Sequence, residues 1–207
     1  MKMIIVDIET SGLDPEKHGI CEIGAIDFFN PRNTFFQESR IDEDELIDEN
    51  ALMVNGKSFS ELRDYEKPSQ KSMIENFIEW HKNARIRNFG GENPHFDVNF
   101  IKSKIKKYKI EYNIPARMFD LHSIAQARYF EIYGKFLIEE ENRRSSMSLK
   151  EILEFCGIKD ERKFHSGLED AKLEAECFSR ILRGENLLKE YLEFPIPIYL
   201  LKNRNKK

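Results

Sequence analysis

The chain contains 207 residues, of which 40% are hydrophobic and 34% are charged, and its formal net charge at pH 7 is −4. This length can bury a sizeable core in one domain, and the charge gives no overall indication of nucleic-acid binding. The apolar residues 194–201 are too few to cross a bilayer and contain two prolines, so we expect no membrane association. Three scattered cysteines without metal-ligand spacing indicate reduced thiols in a cytoplasmic protein.

The first part of the chain predicts strands. An apolar run at residues 3–6 indicates a buried strand that is followed by the loop residues Gly12 and Pro15. Residues 20–29 and 34–40 indicate two further strands, which we expect to pair as a hairpin beside the first strand.

Helices alternate with short strands in the rest of the chain. Ser58 and Glu61 have capping-box spacing for a short helix ending near Tyr65. The remaining predicted elements are, in chain order, a helix around 73–80, a strand at 85–89, a helix at 96–108, a strand at 116–119, a helix capped by Asp120 and ending at Tyr133, a polar mobile loop at 134–146, and helices at 149–156 and 168–182. This order predicts an α/β fold with a mixed central sheet flanked by helices.

Asp7 and Glu9 form a D-x-E pair at the carboxyl end of the first strand. Residues two apart in a strand point to the same face, so both carboxylates project together beside apolar residues. Their mutual repulsion is costly unless a cation lies between them, and Mg²⁺ or Mn²⁺ prefers such oxygen ligands. Taken alone, the pattern is more often a solvated acidic pair or a helix cap than a metal site.

A second motif, N-P-H-F-D at residues 93–97, follows a predicted strand and a pair of glycines. It places Asp97 in the first turn of a helix, where a carboxylate suits the positive end of the helix dipole.

A third motif, H-S-G-L-E-D, occupies residues 165–170. Ser166 and Glu169 have capping-box spacing, which predicts that a helix begins here. His165 would then lie in the preceding exposed loop, and Asp170 about one turn inside the helix.

Together, and in this order, the D-x-E, N-x-x-x-D and H-x-x-x-x-D motifs resemble the DEDDh branch of the 3′→5′ exonuclease superfamily, which includes DnaQ-like proofreading exonucleases and ribonuclease T. The flanking segments at residues 7–15 and 22–25 also look like this family, and the resemblance runs from about residue 3 to residue 182. Gly167, at a position often held by alanine, and Pro94 depart from the commonest pattern. Neither departure removes an acid or the histidine.

The resemblance implies a ribonuclease-H-like α/β fold, with an exonuclease domain at residues 1–183 and a C-terminal extension at 184–207 of unassigned role. It implies that two divalent cations, Mg²⁺ or Mn²⁺, bind at the acids. Asp7, Glu9 and Asp170 would hold one cation, Asp7 would bridge to the second, and Asp97 would support the site. His165 would act as general base in a reaction that releases nucleoside 5′-monophosphates.

The resemblance also implies how a single-stranded 3′ end would bind. Thr10 would contact the terminal nucleotide through its backbone, and Leu13 would lie against its base. Asn93, Phe96 and Phe100 match positions near that pocket, although both phenylalanines could equally be core residues. We further expect the lysine-rich segment to guide the strand through its positive charges, which belong to Lys102, Lys104, Lys106 and Lys107.

The sequence leaves several alternatives open. A non-catalytic nucleic-acid-binding module, or one associated with a DNA polymerase, could keep the same fold. A nucleotide-binding protein whose acids only cap helices would leave the joint spacing unexplained. DNA and RNA are equally compatible with the motifs, as are a monomer and a homodimer.

Overall fold

The computed structural model describes residues 3–84 and 87–201, which fold as strands and helices around one main sheet. The strands are β1 (Ile4–Thr10), β2 (Ile20–Asp27), β3 (Thr34–Glu38), β4 (Phe89–Gly91), β5 (Phe119–Asp120), β6 (Ile138–Glu139) and β7 (Arg144–Ser145). The helices are α1 (Glu49–Asn55), α2 (Phe59–Leu62), α3 (Gln70–Asn83), α4 (Pro94–Lys107), α5 (Leu121–Tyr133), α6 (Leu149–Phe155) and α7 (Gly167–Arg183). None of the helices in these two ranges is long and apolar enough to span a membrane.

The main sheet has five strands in the order β3-β2-β1-β4-β5. The strands β1, β2 and β3 form an antiparallel meander, whereas β4 runs parallel to both β1 and β5. The sheet is therefore mixed, which confirms the predicted fold class.

The alternation of residues along β1 divides the core into two layers. Met3 and Ile5 face a cluster formed with α5, α6 and α7, whereas Ile4, Val6 and Ile8 face a second cluster formed with α3 and α4. Because side chains alternate along a strand, Asp7 and Glu9 continue the Met3 and Ile5 series. The apolar pattern of β1 thus directs both acids toward the side of the sheet that α7 covers.

Several predicted boundaries change in the structure. The strand predicted at residues 85–89 is observed as β4 at Phe89–Gly91, and Arg85 and Ile86 lie outside the described residues. The helix predicted to end near Tyr65 ends at Leu62, although its capping box between Ser58 and Glu61 is confirmed. The predicted loop at 134–146 contains the short β6–β7 hairpin.

The start of α7 differs from its predicted capping box. The Ser166 side chain makes no capping hydrogen bond, and Glu169 is exposed. Instead, the Glu22 carboxylate on β2 accepts hydrogen bonds from the Gly167 amide at 2.7 Å and from Ser166 Oγ at 2.9 Å. The capping-box prediction is therefore wrong, because the acid that satisfies this helix start comes from a strand 145 residues earlier.

A close backbone contact also brings α7 onto the sheet. A Cβ atom added to Gly24 on β2 would lie 2.0 Å from the carbonyl carbon of Gly167. Backbone atoms cannot yield to such an overlap, so glycine at position 24 allows the first turn of α7 to lie directly over β1 and β2. The helix therefore delivers Asp170 beside Asp7 and Glu9.

Residues 184–201, the described part of the predicted extension, pack against the same core cluster as α6 and α7. Arg180 on α7 donates hydrogen bonds to the carbonyl oxygens of Tyr191 and Phe194, at 2.9 and 3.0 Å. The extension is thus anchored on the sheet domain as far as residue 201. The basic segment at 203–207 lies outside the described residues.

Candidate active site

Four predicted acids converge at the carboxyl end of β1. Asp7 and Glu9 lie on the strand itself, and Asp170 reaches them from the first turn of α7. Asp97, in the first turn of α4, is buried, and its Oδ1 accepts a hydrogen bond from the Ile8 amide at 3.0 Å. This bond attaches α4 to β1 between the two strand acids.

Asp170 lies between the imidazole of His165 and the guanidinium of Arg162. His165 Nδ1 is 3.0 Å from its Oδ2, and Arg162 Nη1 is 2.8 Å from its Oδ1. A ligand atom from each of Glu9, His165 and Asp170 falls within 4.8 Å of the others, a spacing at which one metal ion could contact all three. The structure therefore brings His165 closer to the ligand oxygens than the sequence predicted.

The His165 loop is attached to α1. The His165 amide donates to the Val54 carbonyl at 3.2 Å, and the Phe164 ring lies against Gly56, where a Cβ would approach it to 2.5 Å. The imidazole itself is about half exposed, with 48% of its side-chain surface accessible. His165 is thus held through its backbone while its ring remains open to solvent.

The carboxyl groups at this site have raised pKa values. Burial raises the pKa of Asp7 well above its ordinary value, and repulsion from Asp97, Glu174, Asp170 and Glu9 adds to the effect. Burial, followed by the Asp170 charge, raises the pKa of Glu9 to about 8. Burial also raises the pKa of Asp97 to about 7, although hydrogen bonds from backbone amides oppose it. Contact with Asp170 raises the pKa of His165.

The donor set fits a hard divalent cation. Carboxylate oxygens dominate it, and one of them, Glu174 Oε2, is buried without a hydrogen-bond donor among the described residues. Asp7, Glu9, Asp97 and Asp170 are the residues that could hold such ions, with the ring of His165 at their edge.

A cavity of about 500 Å³ opens beside the acids. It is lined by three residues that the sequence predicted to contact the terminal nucleotide, namely Thr10, Leu13 and Phe96. Leu13 is 78% exposed, so its side chain is available to an incoming base. Five lining residues from α1 and the segment before it were not predicted from the sequence; they are Asp48, Asn50, Ala51, Val54 and Asn55.

Two of the predicted substrate residues do not line this cavity. Phe100 is completely buried and packs behind Phe96, with ring centroids 4.9 Å apart. Asn93 lies at the start of α4 in a left-handed conformation with φ of 52°, and its side chain makes no cap. Asn93 therefore shapes the turn that leads to Phe96 and Asp97, and Phe100 supports the aromatic wall from within the core.

The prediction that Lys104 and Lys107 guide a strand is wrong. The Lys104 ammonium is buried and lies 2.8 Å from the Glu45 carboxylate. Lys107 pairs with Asp42, Asp44 and Glu45 at 2.9–3.1 Å. Their charges are neutralised by the acidic segment that precedes α1, a pairing that sequence proximity does not reveal. Lys102 and Lys106 are exposed.

Sequence reasoning missed three residues that contact the site. Glu174 lies four residues after Asp170, and this spacing on a helix was the signal that both acids share a face. Arg162 precedes His165 by three residues, in a charged segment typical of a solvated loop. Glu22 belongs to a family-like segment, but its contact with the start of α7 depends on the tertiary structure.

Comparisons with known proteins agree with this geometry. The profile of the ribonuclease T exonuclease family matches residues 4–178. The DNA polymerase III subunit epsilon of Pasteurella multocida (strain Pm70) is 26% identical over 196 residues, covering 90% of this chain and 70% of the relative.

Two solved structures share the fold. E. coli exonuclease I in complex with a dT13 oligonucleotide has a TM-score of 0.68 at 18% identity, and the match covers 84% of this chain but only 39% of that chain. The nuclease domain of 3′hExo, a DEDDh family member bound to rAMP, has a TM-score of 0.66 at 18% identity, covering 91% of this chain and 94% of that chain. These likenesses identify the fold as ribonuclease-H-like. With the family match over most of its length and the acids gathered at β1, the chain belongs to the DEDDh branch of the 3′→5′ exonuclease superfamily.

Proposed function

We propose that this protein removes nucleotides one at a time from the 3′ end of single-stranded nucleic acid and releases nucleoside 5′-monophosphates. The observation that carries the proposal is the approach of Glu9, His165 and Asp170 ligand atoms to within 4.8 Å, next to a cavity lined by Leu13 and Phe96. The site thus brings together three parts: acids that can hold cations, a base, and a cavity of the size of a nucleotide.

The residues divide the chemistry among them. Asp7, Glu9 and Asp170 would hold divalent cations, Mg²⁺ or Mn²⁺, while Asp97 would support the site from α4. Two such cations supply positive charge that stabilises the attacking and leaving oxygens of an in-line displacement at phosphorus.

His165 is the general base in this proposal. Its Nδ1 faces Asp170 at 3.0 Å, which orients the ring so that Nε2 accepts the proton of the attacking water. The bond that breaks joins phosphorus to the 3′ oxygen of the preceding nucleotide, so the product keeps a 5′-phosphate and the shortened strand ends in a 3′-hydroxyl.

The cavity accounts for the preference for single strands. The terminal base lies between Leu13 and Phe96, so a paired base must first leave its duplex, which costs a few kcal/mol. Frayed or mismatched ends are therefore cut faster than blunt duplexes. We expect binding of the strand to weaken with salt, because its phosphates are attracted to positively charged side chains such as the exposed Lys102 and Lys106.

A turnover assay tests the proposal. Matched 5′-labelled DNA and RNA oligomers of several lengths are incubated with Mn²⁺ or with excess EDTA. We expect a descending ladder with Mn²⁺ and no product with EDTA. Ladders that persist in EDTA would contradict the metal-dependent reaction, and the faster of the two substrates identifies the preferred sugar.

Two further substrates test the requirement for a free end. A circular single strand should resist cleavage, and a blunt duplex of the same sequence should be cut more slowly than the linear single strand. Cleavage of the circle would indicate an endonuclease, and equal rates on the duplex would refute the terminal-base cavity. Association with a DNA polymerase rests on the similarity to the epsilon subunit of P. multocida, and stays a prediction for co-purification with a polymerase to test.

A further inference from the structure

A fifth acid, Glu174, lies at the centre of the acidic cluster although it belongs to none of the three motifs. It is on α7, one turn beyond Asp170, and only 1% of its surface is exposed. Its Oε1 accepts a hydrogen bond from the Glu92 amide at 2.9 Å. Its Oε2 is also buried but accepts no hydrogen bond from the described residues.

Glu174 reaches this position because the end of β4 has no side chain. A Cβ atom added to Gly91 would lie 3.3 Å from Glu174 Oε2 and 3.1 Å from the Val6 carbonyl oxygen. The carboxylate thus lies against the backbone of β4, on the side of the sheet that carries Asp7.

No lysine, arginine or histidine in the described ranges forms an ion pair with Glu174. Its charge instead acts on the other acids, and it raises the pKa of Asp7 more than Asp170 or Glu9 does. Burial raises the pKa of Glu174 well above its ordinary value, and repulsion from Asp97 and Asp170 adds to the effect. A buried carboxylate costs folding free energy unless a proton or a cation balances it, and a divalent cation held by Asp7 and Asp170 would favour the ionised form of Glu174.

The hydrogen bond from Glu92 places Glu174 under the turn between β4 and α4. In this turn, Asn93 has a φ of 52°, and Pro94 begins the helix. Asp97 follows one turn later and holds the Ile8 amide at 3.0 Å. Fixing the Glu92 amide therefore fixes the direction in which α4 leaves the sheet, and with it the position of Asp97.

We propose that Glu174 is a positioning residue of the exonuclease site, with two effects. Its Oε1 holds the turn that carries Asp97, and its negative charge strengthens the binding of divalent cations by Asp7 and Asp170. The inference rests on the proposed function, since it assigns Glu174 a part in the same metal centre.

Glu174→Gln separates the two effects, because the glutamine amide oxygen can still accept from the Glu92 amide while the charge is lost. Glu174→Met removes both the acceptor and the charge at similar volume. Glu169→Gln is the matched control, because Glu169 is an exposed acid on the same helix. Circular dichroism checks that each variant is folded.

Calorimetric titration with Mn²⁺ alone measures the effect of the charge. We expect Glu174→Gln to weaken Mn²⁺ binding by about tenfold or more, because a buried charge a few ångströms from a cation interacts strongly with it. Glu169→Gln should bind Mn²⁺ like the unmodified protein. If Glu174→Gln binds Mn²⁺ equally well, the inference about charge is overturned.

Turnover at saturating Mn²⁺ measures the effect of the hydrogen bond from Glu174 to the turn that carries Asp97. We expect Glu174→Gln to recover most of the unmodified kcat, whereas Glu174→Met remains at least about tenfold slower because Asp97 is displaced. Equal kcat values for the two variants would overturn the positioning role. If the unmodified protein and Glu174→Gln bind Mn²⁺ with the same affinity, only this inference fails. If the unmodified protein binds no Mn²⁺, the proposed function fails as well.

Discussion

The two halves of α7 each bury acidic side chains, and they treat them in opposite ways. In the first half, Asp170 faces a partly exposed histidine and an arginine, and Glu174 keeps one oxygen without a donor among the described residues. In the second half, Glu176 is buried just as completely, but its Oε1 pairs with Arg180 at 2.8 Å and its Oε2 accepts two backbone hydrogen bonds.

The buried acids of α7 therefore fall into two groups: Glu176 is fully satisfied by groups of the protein itself, whereas the acids of the first half belong to the candidate active site. The Arg180 guanidinium also donates to three backbone carbonyls, so the Glu176–Arg180 pair is satisfied within the protein. The acids of the first half, together with Asp7 and Glu9, repel one another, and burial together with this repulsion raises the pKa values of Asp7, Glu9 and Glu174. On the proposed function, the first half of α7 lowers the stability of the metal-free protein because its acids are placed to bind metal ions, whereas the second half holds the C-terminal segment through Arg180.

The largest expected effect is the loss of turnover when one carboxylate of the candidate active site is removed. Asp7→Asn should lower turnover by about 10⁴-fold or more, because the loss of a cation-holding carboxylate removes several kcal/mol of transition-state stabilisation. The melting temperature of the metal-free protein should stay the same or rise, because repulsion is relieved. Gel assays and calorimetry measure the two quantities. Glu75→Gln, at an exposed acid on α3, should change neither, and a lower melting temperature for Asp7→Asn would undo the comparison.

In the second half of α7, we expect a substitution to lower stability and leave turnover unchanged. Arg180→Met should lower the free energy of unfolding by about 3–5 kcal/mol, because it leaves Glu176 buried without its cation. Turnover per folded molecule should be unchanged. Denaturant titration gives the first value, and an assay well below the melting temperature gives the second. Arg183→Met is the control. The Arg183 guanidinium lies over the rings of Phe28 and Phe29, 4.5 and 5.0 Å from their centroids, and its loss should cost about 1 kcal/mol or less.

A substitution of His165 tests the same site at a residue that lies near the carboxylate oxygens but carries an imidazole instead of a carboxylate. His165→Ala should lower kcat by about 10²–10⁴-fold while Mn²⁺ affinity falls only slightly, as expected of a general base. His95→Ala, at an exposed imidazole of α4, serves as the control. If calorimetry shows that Mn²⁺ affinity falls by the same factor as kcat, His165 is a metal ligand.

We expect pH to have a smaller effect, which acts on the stability of the metal-free protein. In the folded metal-free protein, the pKa of Glu9 is about 8 and that of Asp97 about 7, above their values near 4 in an unfolded chain. The folded state therefore binds more protons, so the contribution of both groups to stability is greatest at low pH and declines as pH rises through 7 to 8. The raised pKa of His165 acts in the same direction.

Melting curves test this dependence. Between pH 6 and pH 8.5, the melting temperature of the metal-free protein should fall by more than about 3 °C, and saturating Mn²⁺ should reduce the fall. Glu9→Gln should show a weaker dependence on pH than the unmodified protein. A metal-free protein that becomes more stable over this range would contradict the raised pKa values.

The sequence by itself determined the main parts of the fold and of the site. The apolar alternation of β1 directs Asp7 and Glu9 to one face, and local capping signals at Ser58 and Asp120 predicted two helix starts that the structure confirms. These features depend on residues within a few positions of one another, where backbone geometry leaves little freedom. The spacing of the three motifs was likewise sufficient to indicate the family.

Only the tertiary structure decided which charges are neutralised. The sequence predicted that Lys104 guides a nucleic acid, but its ammonium pairs with Glu45, 59 residues away in sequence. The start of α7 is satisfied by Glu22 rather than by Glu169, and Glu174 differs from Glu176 only in what surrounds it. A charge interacts with whatever the fold places within a few ångströms, so its role depends on contacts between distant segments that local patterns do not encode.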